Sequence, residues 1–335
     1  MIRKIILIFC ISLFLYSCAS WKDNSFILHN KDYDIDEAFL QSNEVISSLA
    51  NASRKMHDIA WLIMRENRDY CPNARINAFG IMVSSNMELD SKMRDSFFAA
   101  APLNKNYKSN IRSDFAMIIS VAKGSSAHKA GIEEGDILLS INEVAYNFSN
   151  YKNILKIAAD NGYLKLSILR DNKEYNYTLK SEVICGYPVQ PMISPIPNAY
   201  ADGSKIFITI ATLDFIKDDQ ELAFLIGHEL AHNILHFNGK GLPEIDGMPL
   251  PLDDKPSIRD ISDVFIFQSG AKEIEADMLG VEYVLRAGLK QDKAANYFRR
   301  LSIYMPILMN DSIFRMHPGN VKRAAKIEEK VKSMK

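Results

Sequence analysis

The chain has 335 residues, 47% of them hydrophobic, which is enough for real cores and suggests about two domains. Its 40 Lys and Arg stand against 41 Asp and Glu, with no basic block, so nothing points to nucleic acid as a partner.

Met1-Ile-Arg-Lys4 leads into an apolar run from Ile5 to Tyr16 and then Ser17-Cys18-Ala19-Ser20. A basic start, a short apolar core and small residues make a secretory signal over 1–17. The run falls short of the ~20 residues that cross a bilayer, and no other run approaches that length. Leu15-Tyr16-Ser17-Cys18 resembles a bacterial lipobox, with Tyr16 larger than usual there. That resemblance implies a lipid on Cys18 as the membrane anchor, and Ala19 after it resembles outer-membrane sorting from the periplasm of Gram-negative bacteria. Plain secretion or an uncleaved anchor is the alternative. Of 4 Cys, Cys10 is expected to leave with the signal and Cys18 would carry the lipid that the resemblance implies. Cys71 and Cys185 remain for an oxidising compartment, where a disulfide between them is expected, two separate thiols being the alternative.

Residues 18–69 read as a tether from Trp21 followed by a long helix. Asp34-x-x-Glu37 is similar to a capping box. Phe39, Ile46, Leu49, Met56, Ile59 and Ile63 then recur at helical spacing. The stripe is expected to pack on the domain formed by residues 184–335, and His57 on this helix is read as structural.

Residues 70–183 contain Gly124, Gly131 and Gly135 punctuating a strand, turn, short helix, turn and strand. Ser120–Asn142, with Ala130-Gly131-Ile132 and Gly135-Asp136-Ile137, strongly resembles a PDZ domain. A helix near Tyr151–Asp160 and strands Tyr163–Arg170 and Glu174–Leu179 continue the match, and a further helix is expected over Ser91–Ala100. The resemblance implies a groove for peptide C-termini, in which a chain adds to the sheet edge. Its carboxylate loop is assigned to Ala78-Phe79-Gly80-Ile81, with Phe79 and Gly80 as binding residues. A blocked groove kept for packing is the alternative.

Residues 184–335 open on a proline-rich linker, then Asn198-Ala-Tyr-Ala-Asp-Gly203 and an apolar strand Lys205–Ile210. Asp218, Asp219 and Glu221 crowd the start of the next helix, where negative charge is favoured. That helix carries His228-Glu229-Leu230-Ala231-His232 in a chain with only 7 His. Residues four apart share a face, so both imidazoles can meet one metal ion, while Glu229 stands beside it. Two His and a carboxylate suit one Zn2+ with a position left for water, whose proton Glu229 can take. His236 reads as a helix-end residue. The third ligand is expected in Ala271–Met278, where Glu273 and Asp277 share a face and Glu275 points away.

This H-E-x-x-H with E-x-x-A-D resembles the metallopeptidases of family forty-eight, gluzincins related to the CaaX prenyl protease and HtpX. The resemblance covers Asn198 to about Arg323, including His317-Pro318. It implies ligands His228, His232 and Glu273, with Asp277 supporting a ligand His. It further implies that Asn198, Ala199 and Gly203 belong to an edge strand that aligns substrate, and that His317 steadies the oxyanion or caps the metal. Lys272 before the ligand Glu departs from the relatives, which often have Arg two residues ahead of E-A-D. Without their several membrane helices, the chain looks like the periplasmic lipoprotein members carrying a PDZ module. The loop Asn238–Ser262 is read as a surface loop or a lid.

The expected fold is therefore α+β: a helix-rich zincin-like domain with a small sheet, and a PDZ domain inserted after an N-terminal helix. The expected function is zinc-dependent endopeptidase action on unfolded or extended envelope polypeptides. The rivals are a chaperone-like or assembly scaffold with little turnover and, more distantly, a zinc amidase.

Overall fold

A computed structural model describes residues 31–101, 113–237, 270–310 and 319–334. The signal segment, Cys18, the loop Asn238–Ser262 and His317 lie outside the described residues. Contacts divide the chain into Met1–Gln41 and Ser42–Lys335. In the first unit the described residues open helix α1 (Lys31–Glu66), where Phe39 and Leu40 are exposed. The helix starts ahead of the Asp34-x-x-Glu37 box because no Gly or Pro interrupts it from Lys31 onward.

Within the second unit, α1 serves two cores rather than the one its stripe predicts. Ile46, Leu49 and Ala50 pack with Phe97, Phe115, Met117 and Ile119. Met56, Ile59, Ala60, Ile63 and Met64 join the core that holds the metal helix. At about 1.5 Å per residue the helix is long enough to reach both. Polar contacts fix it past its midpoint and at its C-terminal end. Arg54 donates to the carbonyls of Ala100 (2.6 Å) and Ile119 (3.1 Å), and His57 Nδ1 lies 2.9 Å from Ser120 Oγ. Asn67 donates to Tyr283 O and Arg286 to Glu66 O, both at 2.9 Å. Burial pushes His57 down to about 4, so it stands neutral as a bridging residue.

The PDZ-like part comprises β1 (Arg75–Ala78), β2 (Ile81–Ser85), β3 (Ala116–Val121), α2 (Ser126–Ala130), β4 (Ile137–Ile141), β5 (Val144–Ala145), α3 (Tyr151–Asp160), β6 (Tyr163–Arg170), β7 (Lys173–Lys180) and β8 (Glu182–Cys185). The main sheet runs β2-β3-β4-β6-β7, and β5 pairs with β4. Strand β3 is buried throughout because it has a core on each face. Ala116 and Ile118 face the core beneath α3, whereas Met117 and Ile119 face the core shared with α1. The hairpin β6–β7 turns through Asp171 and Asn172 at positive φ, as Asx residues tolerate. The helix expected over Ser91–Ala100 is a 3₁₀ stretch, Arg94–Ala100, too short to nucleate an α-helix well.

Strands β1 and β8 form a separate antiparallel ladder from Arg75↔Cys185 to Ala78↔Glu182. The PDZ-like part therefore enters and leaves side by side. A Cys71–Cys185 disulfide closes this base, with Cα atoms 5.7 Å apart and a sequence separation of 114.

The remainder holds β9 (Val189–Met192), β10 (Ala199–Ala201), β11 (Ile206–Thr209), α4 (Ile210–Phe215), α5 (Asp219–His236), α6 (Gly270–Arg286), α7 (Asn296–Tyr304) and α8 (Asn320–Ser333). The sheet order is β10-β11-β9, with β10 antiparallel and β9 parallel to the central strand. The predicted strand at Lys205–Ile210 ends at Thr209, whose side chain accepts the Thr212 N–H and caps α4.

Candidate metal centre

Helix α5 begins at Asp218, whose carboxylate accepts the Gln220 N–H at 3.0 Å. Every residue from Glu221 to Asn233 is buried, so the helix is enclosed rather than surface-lying. Glu221 is accommodated there by Arg300, whose Nε lies 3.0 Å from its carboxylate. Helix α6 crosses α5 with glycine against glycine. A Cβ on Gly227 would stand 2.6 Å from Gly280 O, and one on Gly280 would stand 2.7 Å from His228 N. The two backbones touch, and two turns before Gly280 the same helix presents Glu273 to the histidines.

His228 Nε2 and His232 Nε2 are 3.1 Å apart. Glu273 lies 3.6 Å from the first and 3.5 Å from the second. All three residues are buried, and their ligand atoms lie within 4.8 Å of one another. Ligand bonds of about 2.0–2.1 Å in a tetrahedron imply edges of about 3.3–3.4 Å, so the donor set fits a zinc-sized ion. Charge agrees with this fit. Glu229, Glu273 and Asp277 are buried together, with Arg323 as the buried guanidinium among them. An excess of buried negative charge is what a divalent cation neutralises.

Asp277 Oδ1 stands 3.0 Å from His228 Nδ1, which favours the proton on that nitrogen and leaves the Nε2 lone pair facing the other ligands. Burial alone would raise the Asp277 carboxyl, but the charge and hydrogen bonds of Arg323 outweigh it and hold the group below its ordinary range. Burial likewise opposes protonation of His228, yet Asp277 reverses the balance and raises it. His232 has no such partner among the described residues at Nδ1, and burial with the neighbouring His228 pushes it down to about 2. Glu229 sits 4.0 Å from His228 Nε2, beside the three donors. Burial, with further help from Glu273, pushes its carboxyl up to about 7.

Arg323 is the residue whose role sequence reasoning missed. Its guanidinium forks onto Asp277 at 2.7 and 2.8 Å, reaches Glu273 at 3.1 Å and lies 4.2 Å over the Phe298 ring. One signal was available: Arg323 shares the buried face of α8 with Ile327 and Val331, an unusual position for a cation. Glu275 is exposed on α6, and His236 ends α5 at 4.0 Å from it, so neither belongs to the donor set.

Of the predicted substrate residues, Ala199 opens β10, one of the two edge strands of its sheet among the described residues, and that strand contacts α5. Asn198 precedes it, donating its N–H to Thr209 Oγ1 and accepting at its carbonyl from Thr212 Oγ1, both at 2.9 Å. Gly203 lies in the following turn. In the PDZ-like part, Gly80 has φ +77 and approaches Ser125 so closely that a Cβ would overlap it at 2.1 Å. Phe79 and Gly80 line an apolar pocket with Ile81 of edge strand β2, Leu155 of α3 and Trp61 of α1.

Two families match the chain. Peptidase family M48, a family of zinc metallopeptidases, matches residues 159–238 and 256–331. The PDZ domain matches residues 117–170. No curated protein matches the chain.

Proposed function

We propose that this chain of peptidase family M48 with a PDZ domain is a zinc-dependent endopeptidase acting on unfolded or extended polypeptides. The observation that carries the reading is the closure of His228, His232 and Glu273 into a triangle of zinc-ligand dimensions with Glu229 beside it. When bound, zinc supplies Lewis-acid polarisation of the scissile carbonyl and of the attacking water. Glu229 takes a proton from that water and returns it to the departing amine nitrogen, so the proton count closes on one carboxylate. Burial raises that carboxyl above its ordinary range, which favours its holding the proton between the two transfers. Asp277 fixes the His228 ring, and Arg323 fixes Asp277 and Glu273 in turn. Among the described residues β10 is an edge strand of its sheet, and an extended substrate would lie along its backbone.

The finer reading places residues 18–69 as tether and helix, 70–183 as the PDZ domain and 184–335 as the peptidase domain. The PDZ groove at Phe79 and Gly80 receives polypeptide C-termini, and His317 assists at the carbonyl oxygen. The protein works in the periplasm, lipid-anchored to the outer membrane through Cys18, in quality control of envelope proteins. The signal-like start and the Cys71–Cys185 disulfide support an exported, oxidising location.

The ligand set is tested by zinc content and casein cleavage of the protein from residue 19 onward. One zinc per chain is expected, lost in His228→Ala, His232→Ala and Glu273→Ala but kept in Glu275→Ala. Retention in Glu273→Ala with loss in Glu275→Ala overturns the ligand choice.

A further inference from the structure

Directly after His232, helix α5 carries a side chain that the reaction does not use. Asn233 is fully buried, and both ends of its amide are engaged. Its Oδ1 accepts the Gly203 N–H at 2.7 Å, and its Nδ2 donates to Lys205 O at 3.1 Å. Both partners belong to the turn that joins edge strand β10 to β11.

That turn is rigid in itself. Asp202 Oδ1 accepts from Ser204 N at 2.7 Å, Ser204 Oγ at 2.8 Å and Lys205 N at 2.7 Å. Gly203 has φ +92, and a Cβ there would meet Phe237 Cβ, just past the end of α5, at 3.0 Å. A stiff turn gripped by the metal helix moves with that helix. Strand β10 is only three residues long and pairs with β11 alone among the described strands, so how its two ends are held bears on its placement. Asn198 holds one end through Thr209 and Thr212, and Asn233 holds the other.

We propose that Asn233 is a positioning residue, setting the height of edge strand Ala199–Ala201 over His228, Glu229 and His232 and so the register of the bound polypeptide. The inference rests on the endopeptidase reading. The side-chain chemistry is specific, since the turn presents an N–H and a C=O together and a planar amide answers both. Asp keeps the acceptor for Gly203 but turns a carboxylate toward Lys205 O, and Ala leaves both groups buried and unmatched.

The test uses the zinc-loaded chain with Asn233→Ala and Asn233→Asp. It compares kcat and KM on a long peptide and on a short reporter that does not reach β10, with zinc content and amide exchange at Gly203 measured alongside. In Asn233→Ala, zinc should stay, Gly203 exchange should quicken, and kcat/KM on the long peptide should fall by about 10²-fold. The short reporter should change by less than about threefold. Asn233→Asp should keep Gly203 protected and lose less on the long peptide, and it decides the matter should the Ala variant not fold. Equal losses on both substrates, or none on either, overturn the inference while leaving the endopeptidase reading intact. A zinc-loaded wild type that cleaves neither peptide overturns that reading and the inference together.

Discussion

Replacing Gly280 by Ala places a methyl carbon 2.7 Å from the backbone N and 2.9 Å from the Cα of His228. Those atoms are helix backbone, so relief requires α5 and α6 to part by about 0.7 Å to reach ordinary contact. Two opposing terms act on the fold. Helix propensity favours Ala over Gly by about 1 kcal/mol, whereas overpacking against a fixed neighbour costs about 1–3 kcal/mol. The net change in stability is therefore small, from about zero to a loss of about 2 kcal/mol. The metal centre is more sensitive. The 3.1 Å edge between the histidines lies within α5 and persists, but the 3.6 and 3.5 Å edges to Glu273 cross between the helices and stretch beyond about 4 Å. That exceeds the tolerance of about 0.2 Å in ligand distances, so zinc affinity should fall at least ~10-fold. Competition with a chelator of known affinity gives the zinc Kd, and urea unfolding of the metal-free protein gives the stability. An unchanged Kd together with a gain of about 1 kcal/mol would refute the argument, because it would mean the helices do not touch at Gly280.

The base makes a pH prediction. Burial raises the folded-state pKa of Glu229 from 4.5 to about 7, so over that window the folded metal-free protein holds a proton that the unfolded chain has lost. This contribution to stability disappears as pH rises through 7, and Gln does not titrate. Glu229→Gln should therefore stabilise the metal-free protein increasingly from pH 4.5 to 7, by up to about 3 kcal/mol, and a pH-independent difference contradicts the assignment. Removing both Cys71 and Cys185 opens a closed loop spanning 114 residues and should cost roughly 4–5 kcal/mol in urea unfolding, with under 1 kcal/mol counting against a structural disulfide. At the PDZ groove, soluble peptides with free carboxyl ends should bind at least ~10-fold more tightly than their amidated forms. Gly80→Ala, which forces a Cβ into Ser125 at positive φ, should abolish the difference, and equal binding of both forms by the wild type would make the groove structural.

The centre was legible because its residues follow local rules. His228 and His232 are one turn apart, and Glu273 and Asp277 share a face of another helix, so periodicity alone assembles each half. The joining of the halves was only partly legible. The contact of Gly227 with Gly280 and the role of Arg323 depend on how three helices cross. The long helix shows the same limit. Its stripe was plain, yet Ile46 and Leu49 pack on a different core from Met56 and Ile63, and a stripe does not name its partners. Asn233 carries no local signal of its role, since the groups it answers lie some thirty positions earlier in the chain. Helix α4 was missed because it is a single capped turn or so, shorter than the window in which periodicity can be detected.

The central claim, hydrolysis with Glu229 as base, is tested most directly by casein cleavage by the zinc-loaded chain beside its Glu229→Gln variant. Glu229 lies outside the donor triangle and Gln has nearly its volume, so both proteins should hold one zinc. The account predicts that chelation silences the wild type, that zinc restores it, and that the variant is slower by at least ~10²–10⁴-fold. A variant that cleaves as fast as the wild type, or a wild type that holds zinc and cleaves no faster than the variant, contradicts it.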